Sequence, residues 1–256
     1  MYSSNRRSLH LLMPWLVLAV LLTVWQLSVV VFEIPSFILP SPVAIYHAFQ
    51  EYRPIILHHA SLTMMNTMIG FGFGVIVGVL LGIFIGTIPM VYSGLYPVLI
   101  GFNSIPKVAL VPIIVLWLGI GQPTAIATAF ILCFFPIAVN VATGLATVEP
   151  EVEDVLRSLG ASKIDLIRKI GLPRAMPFFF ASLKISITLA FVGTVIAETI
   201  ASNDGIGYLM MQASSQFRVP LMFAGVAVIA ALGILTYVIF AFIEKRMTGW
   251  AIRGKK

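Results

Sequence analysis

The sequence has little charge for its length: of 256 residues, 10% are Asp, Glu, Lys or Arg, and 59% are hydrophobic. Soluble domains carry about a quarter charged residues, so this composition excludes an ordinary soluble protein and indicates a chain whose solvent is the bilayer. The only cysteine, Cys133, excludes a disulfide framework and zinc-type spacing. A G-x-x-x-x-G-K-[ST] phosphate loop is also missing, so the chain cannot supply that kind of nucleotide site.

Long apolar runs dominate what is present. A membrane helix needs about 20 predominantly apolar residues. The first run is too long for the hydrophobic part of a signal peptide and lacks a small-residue cleavage site after it, so we interpret it as a span. The sequence therefore predicts an all-α membrane protein with six transmembrane helices, over residues 9–32, 63–88, 95–118, 124–146, 178–200 and 220–243.

The net charge of +6 does not indicate nucleic-acid binding, because the basic residues are scattered at loop ends instead of lining one face. They indicate membrane orientation instead. An even number of spans places both termini on one side, and the positive-inside rule makes that side cytoplasmic. The opposite loops hold only Arg53 and Arg218. The basic residues on the predicted cytoplasmic side are Arg6, Arg7, Arg157, Lys163, Arg168, Lys169, Arg174, Lys245, Arg246, Arg253, Lys255 and Lys256.

The predicted outer segment 34–60 contains a rigid, proline-rich stretch followed by residues 43–52 with helical character. Ser41 followed by Pro42 is typical of a helix start, with proline in the first helical position. This segment fits an interfacial helix on the outer leaflet and an ordinary surface connector equally well.

Small residues form a ladder in the second predicted span. Glycine recurs at every fourth position, which gives one flat helix face that another backbone can approach closely. We favour a partner within the same bundle over a second copy of the chain, because each helix has more neighbours inside a bundle than across one dimer seam. The ladder consists of Gly70, Gly74, Gly78, Gly82 and Gly86.

The one long polar interruption, residues 149–177, predicts two short amphipathic helices. Val152, Val155, Leu156 and Leu159 recur at helical spacing beside charged residues. Gly160 is placed to end the first helix. Ser162 and Asp165 form a capping-box pattern that starts the second helix, in which Ile164, Leu166, Ile167 and Ile170 are predicted to face one way. Gly171 and Pro173 are predicted to stop it.

Such a pair of helices suits either a groove on another protein or the anionic inner leaflet. The spacing favours the first, because Gly160 follows Asp154 by six residues, and Ile170, Gly171, Leu172 and Pro173 come after nine more. This order resembles the cytoplasmic EAA loop, E-A-A-x3-G-x9-I-x-L-P, in the membrane subunits of binding-protein-dependent ABC importers. The family's Glu-Ala-Ala is here Asp154-Val155-Leu156, which keeps the carboxylate but replaces two small residues with bulky ones.

The resemblance implies a type I importer permease, with residues 1–256 as one transmembrane domain and 149–177 as its coupling loop. It implies a permease homodimer in a bacterial inner membrane, two cytoplasmic ATPase subunits that hold ATP and Mg, and an external solute-binding protein. The permease itself would be no enzyme and would bind no cofactor or metal. The implied coupling residues are Asp154, Val155, Leu156, Gly160, Ala161, Ile170, Gly171, Leu172 and Pro173.

Other stretches resemble the branch of the family that handles nitrate, sulfonates and taurine, which also includes importers of thiamine pyrimidine precursors. The substrate therefore stays open between a small anion of this type and a small heterocycle. The resembling stretches are 37–42, 105–112, 117–121 and 205–208.

Ionisable residues inside spans are costly, so each must face protein, water or an interface. Lys107 lies deep beside Pro106 and is our candidate for the translocation path, together with Glu198. For Glu198 and Lys184, a position near a membrane boundary is the simpler explanation.

Three other functions compete with an importer permease. A secondary transporter would show repeated halves and mid-membrane acids or bases, and the sequence shows neither convincingly. A membrane enzyme would need clustered ligands or paired acids, whereas His58-His59 is an isolated pair that we interpret as a surface feature. A purely structural subunit would bind an ATPase without supporting uptake.

Overall fold

The computed structural model describes residues 4–147 and 150–252, and every regular element in these ranges is helical. Glu149, at the start of the predicted coupling loop, and the basic residues Arg253, Lys255 and Lys256 lie outside the described residues. The helices are α1 (Ser4–Val31), α2 (Pro42–Glu51), α3 (Arg53–Gly86), α4 (Pro89–Asn103), α5 (Val111–Leu118), α6 (Gln122–Ala146), α7 (Pro150–Ser158), α8 (Lys163–Leu166), α9 (Leu172–Ala201), α10 (Ile206–Ser215) and α11 (Val219–Ile252).

Within the described ranges, five helical stretches are long and apolar enough to cross a membrane, and α4 with α5 makes a sixth if that bent pair is counted as one span. The predicted all-α membrane fold is therefore confirmed. The five stretches are Leu12–Val31, Arg53–Gly86, Gln122–Ala146, Ile164–Ala201 and Val219–Thr248.

The third predicted span, residues 95–118, is not one helix. α4 ends at Asn103, a 3₁₀ turn follows at Lys107–Leu110, and the two halves of the pair are bent by 83°. Pro106 has an extended ψ of 92°, and it cannot donate the backbone hydrogen bond that an uninterrupted helix requires. The residue before a proline also disfavours the helical region, so the chain breaks here instead of bending gently.

The helix predicted in the outer segment is confirmed as α2. Ser41 is its N-cap and its hydroxyl accepts a hydrogen bond from Ala44 N–H, with Pro42 at the start of the helix. α2 packs against α11, α3 and α1, and Val43 N–H donates to Gln26 Oε1 across 3.3 Å.

The centre of the molecule is formed by α3, α6 and α9, with α6 between the other two. Apart from Phe71, the buried side chains that meet there are small or medium-sized, and α6 contributes much of this core through Ala129, Cys133, Ile137 and Val141. α11 packs on α9, whereas α1 is largely exposed along its described side chains and touches α11 through Trp25 and Phe223, whose ring centroids are 6.2 Å apart.

The glycine ladder of α3 lies against α6 of the same chain. A Cβ on Gly70, Gly78 or Gly82 would come within 2.6 to 2.9 Å of an α6 side chain, and one on Gly74 would collide with Cys133 Sγ. On Gly86 it would reach Leu145 Cβ at 2.8 Å. Gly72, which is off the ladder, has no such neighbour within 4 Å. The ladder therefore sets how closely the two central helices approach.

Candidate coupling loop and buried polar cluster

α7 exposes apolar side chains on a polar helix. Val155 is 60% exposed and Leu159, just after the helix, is 78% exposed, whereas Val152 and Leu156 are half-buried. Ile164 on α8 is 73% exposed. We call Val155, Leu159 and Ile164 the apolar knob. Asp154, at the position of the family's glutamate, is exposed beside it.

The turn after α7 is a Schellman motif. Ala161 N–H donates to Leu156 O at 3.0 Å and Gly160 N–H donates to Arg157 O at 2.9 Å, which satisfies carbonyls at the helix end. Gly160 has φ +84°, the left-handed conformation that glycine adopts without a Cβ clash. The predicted helix end at Gly160 is confirmed.

The predicted capping box is confirmed at the start of α8. Asp165 N–H donates to Ser162 Oγ, and Ser162 N–H donates back to Asp165 Oδ2, both at 3.2 Å. Ser162 Oγ also donates to the same carboxylate oxygen at 2.6 Å. Together the motif and the box fix both sides of a short turn, so Leu159 and Ile164 are presented by a defined backbone.

The predicted stop at Gly171 and Pro173 is wrong. The chain continues from α8 through a π turn, Ile167–Gly171, into α9, and Leu172 N–H donates to Ile167 O. Pro173 has no N–H and its ring clashes with the preceding turn of an ordinary helix, and the wider π turn is the local adjustment at this place. Gly171 is buried, and a Cβ there would approach Leu145 Cδ2 to 3.2 Å.

The predicted common face of the second helix is also wrong in part. Leu166 is buried, whereas Ile164 is exposed, because residues two apart on a helix project about 200° from each other around its axis. Ala161, Ile170 and Pro173 are half-buried and Leu172 is partly exposed.

Lys107 lies at the break between α4 and α5. Its Nζ donates to Asn103 O at 2.9 Å and to Asn103 Oδ1 at 3.0 Å, and it stands 5.5 Å from the centroid of the Phe135 ring. The ammonium group therefore binds the free end of α4. Lys184 pairs with Glu244 of α11 at 2.5 Å, a partner that the sequence did not reveal.

Glu198 lies near the end of α9 and is 1% exposed within the chain, while its position relative to a membrane boundary stays a prediction. Its Oε2 accepts hydrogen bonds from Thr63 Oγ1 at 2.8 Å and from Gly207 N–H at 3.2 Å. Thr63 Oγ1 in turn accepts from Ile206 N–H at 2.8 Å. The carboxylate and the hydroxyl thus occupy the free N–H groups at the start of α10, where a negative charge is favoured by the helix dipole.

His59 completes this polar cluster. Its Nδ1 accepts from Gly205 N–H at 3.0 Å, and the side chain is buried, so the surface interpretation of the histidine pair is wrong for His59. Thr67 and Thr194 join α3 to α9 one turn further along, with Oγ1 atoms 2.9 Å apart. One signal could have identified the cluster: His59, Thr63 and Thr67 are spaced by four residues and continue the glycine face of α3.

Two buried acceptors in this region, Glu198 Oε1 and Asn66 Oδ1, have no hydrogen-bond partner. Within residues 4–147 and 150–252, no three His, Cys, Asp or Glu side chains are grouped as a metal site would require. The arrangement is that of a helix clamp, in which α3 and α9 hold the first turn of α10.

Comparison with known proteins shows which family has this sequence and fold. The family model described as the inner membrane component of binding-protein-dependent transport systems matches residues 74–249. The formylaminopyrimidine transport permease ThiX of Halalkalibacterium halodurans is 30% identical over 96% of this chain and 98% of its own length. The taurine transport system permease TauC of Escherichia coli is 28% identical, over 91% and 87%.

Among solved structures, an inward-facing form of the MetNI methionine ABC transporter superposes with a TM-score of 0.66 at 20% identity. It covers 77% of this chain and 98% of the matched one, and it shows a shared fold.

The fold and the matches define a multi-pass inner-membrane permease subunit of an ABC importer, which is a transport protein and not an enzyme. The chain belongs to the family of binding-protein-dependent transport system inner membrane components, and its similarities include the branch with the taurine permease.

Proposed function

We propose that two copies of this permease form the pathway for a small solute, driven by two cytoplasmic ATPase subunits and supplied by an external solute-binding protein. Residues 149–177 are the coupling loop within a single permease domain, and both termini lie on the same cytoplasmic side. ATP and Mg belong to the ATPase pair, and this chain contributes no cofactor or metal site.

The apolar knob is the observation that carries this proposal. Val155, Leu159 and Ile164 are 60%, 78% and 73% exposed on a segment whose neighbours are charged. Large exposed apolar side chains with a polar rim mark a protein–protein contact, and two capped helices keep them in one geometry. The knob fits a groove on the ATPase.

The departure from the family's Glu-Ala-Ala supports the same assignment. Val155 replaces a small residue, yet its side chain is exposed instead of packed inside the chain. Leu156 is half-buried. The added bulk at Val155 therefore faces the partner, whose groove must be wider at this point.

The helix that follows carries movement away from the loop. α8, the π turn and α9 are continuous from Lys163 to Ala201, so a displacement of the coupling loop moves one end of a membrane-spanning helix. Closure and opening of the ATPase pair would rock the bundle between inward-open and outward-open forms as a rigid-body transition.

The substrate class that we favour is a small nitrate-, sulfonate- or taurine-type anion. Lys107 is the cation at the bend, where non-helical backbone at membrane depth must line a cavity or contact protein and not lipid. The alternative is a thiamine pyrimidine precursor or another small heterocycle, which is favoured by the match to the formylaminopyrimidine permease over 96% of this chain.

Lys107→Met tests the first alternative. We expect anion uptake by the complete transporter to fall about tenfold or more, since an unscreened charge contributes more than about 1.4 kcal/mol at such a site. Uptake of a neutral pyrimidine would be unchanged. Equal uptake of the anion by the variant and the parent would remove Lys107 from the pathway.

The coupling loop is tested by co-purification in mild detergent. We expect the tagged chain to recover an ATPase subunit and Leu159→Asp to lose it, because the substitution places a charge in the centre of the knob. Gln216→Asp adds the same charge to an exposed turn after α10 and serves as the matched control.

Retention of the ATPase by Leu159→Asp would contradict the knob as a docking site. Uptake driven by ATP separates a working permease from a structural subunit.

A further inference from the structure

α10 begins directly on the end of α9, at the opposite end of that helix from the coupling loop. Glu198 lies 26 residues beyond Leu172, which at 1.5 Å per residue is about 39 Å along one continuous helix. That distance exceeds the roughly 30 Å thickness of the hydrocarbon core, so α9 links the two sides of the membrane.

The contact between the two helices is tight because two glycines permit it. Gly205 has φ +96°, and a Cβ there would collide with the Glu198 carboxyl group. A Cβ on Gly207 would come within 2.5 Å of Val195 O and 2.8 Å of Glu198 Cβ. The first turn of α10 therefore rests on the last turn of α9 without an intervening side chain.

Hydrogen bonds hold the first turn of α10 against α3 and α9. The three N–H groups of Gly205, Ile206 and Gly207 donate to His59 Nδ1, Thr63 Oγ1 and Glu198 Oε2, at 3.0, 2.8 and 3.2 Å. Thr63 Oγ1 also donates to Glu198 Oε2, so the acceptors on α3 and α9 are themselves joined. In a buried setting each such bond is costly to break, because the group left behind has no water to replace its partner.

We propose that Glu198 is the positioning residue that makes α10 move with α9, so that ATP-driven displacement of the coupling loop reaches the far side of the membrane through this clamp. This inference rests on the coupling role proposed above. At ten residues α10 is too short to span the bilayer, so it is a surface or re-entrant element whose placement depends on what holds its first turn.

Hydrogen–deuterium exchange of the complete transporter in nanodiscs tests this role. Deuterium uptake is compared with and without ATP and vanadate for peptides that cover residues 159–172 and 206–215. In the parent protein we expect a nucleotide-dependent difference in both segments. In Glu198→Ala the difference at 159–172 is expected to persist and that at 206–215 to be lost, and Glu198→Gln, which keeps an acceptor oxygen, restores most of it.

Thr188→Val is the matched control, because Thr188 is an exposed residue of α9 whose hydroxyl donates only to Lys184 O on the same helix. A merely structural role of Glu198 would raise uptake at 206–215 in both nucleotide states and leave the difference between them intact. That result would overturn the proposal. So would an unresponsive α10 in a parent protein whose coupling loop responds.

If the loop at 159–172 does not respond to nucleotide in the parent protein, the failure belongs to the proposed coupling function and not to the clamp. If Glu198→Ala is not recovered as folded protein, Thr63→Val decides by the same criteria. It removes the hydroxyl that links Glu198 to Ile206 N–H and leaves the carboxylate in place.

Discussion

Apolar side chains are usually buried and charged ones exposed, and the two ends of the α8–α9 helix depart from this rule in opposite ways. At the coupling end, Leu159 and Ile164 are apolar and exposed among charged residues. At the other end, Glu198 is ionisable and buried among helices. The first mismatch can be relieved only by another molecule, whereas the second is largely satisfied by α3 and α10. An exposed mismatch thus marks a partner site, and a buried one marks an internal joint.

The largest expected effect on the free energy of unfolding comes from the packing of α3 against α6, in the centre of the molecule. Gly78→Leu should reduce the free energy of unfolding in detergent by about 3 kcal/mol or more, because even a Cβ would lie 2.9 Å from Ile137 Cβ and from Phe134 O. Gly72→Leu, on the same helix with open space around it, should change it little. Equal thermal unfolding of the two variants would contradict close α3–α6 packing.

The next largest effect on the free energy of unfolding is expected at the buried end, where Glu198 lies. Glu198→Ala should cost about 2–3 kcal/mol, because Gly207 N–H and Thr63 Oγ1 lose their common acceptor in a buried site. The measurement is the unfolding free energy, with Thr188→Val as control. A cost below about 0.5 kcal/mol would show that the cluster is not an internal joint.

Gly160 tests the geometry at the exposed end. Gly160→Ala should cost about 1 kcal/mol, because its φ of +84° brings a Cβ close to the backbone. Gly101→Ala, inside α4 with nothing near the new methyl group, should instead be neutral or slightly stabilising. If both substitutions had the same sign, backbone strain would not explain the glycine at position 160.

The smallest expected effect on stability completes the comparison. Leu159→Asp should change the unfolding free energy by less than about 0.5 kcal/mol, because the side chain is 78% exposed, while recovery of the ATPase is lost. A large destabilisation by Leu159→Asp would show that the knob belongs to the chain's own core and would remove the contrast between the two ends.

Local sequence patterns were sufficient to predict helix caps and left-handed turns. Ser41 with Pro42, Gly160, and Ser162 with Asp165 each acted where predicted, because caps and left-handed turns depend on neighbouring backbone groups. The apolar runs located five spans for a different reason, since length and composition decide which stretches can cross a bilayer. Pro106 is a local reason for a helix distortion, although the size of the break, 83°, depends on what packs around it.

Contacts between distant segments were not predictable in this way. Glu198 and Thr63 are 135 residues apart in the chain, and nothing in the sequence around either residue indicates that the two are in contact. α10 was not predicted as a helix, and the left-handed residue that follows its C-cap is Phe217, at φ +55°, where a glycine would have been the usual sign of a helix end. The continuous α8–α9 helix was also missed, because Gly171 and Pro173 are ordinarily stop signals.

The π turn at Ile167–Gly171 sets an angular phase. A π turn adds one residue to a helix, and one residue corresponds to about 100° of rotation around the axis. The faces of α8 and α9 are therefore out of register by about that angle, and the direction in which Ile164 projects is decoupled from the face that α9 turns toward α6. The extra residue thus sets the direction of the exposed Ile164 side chain independently of the packing of α9. The membrane helix can keep its contacts with α6 while its extension faces a partner in a different direction.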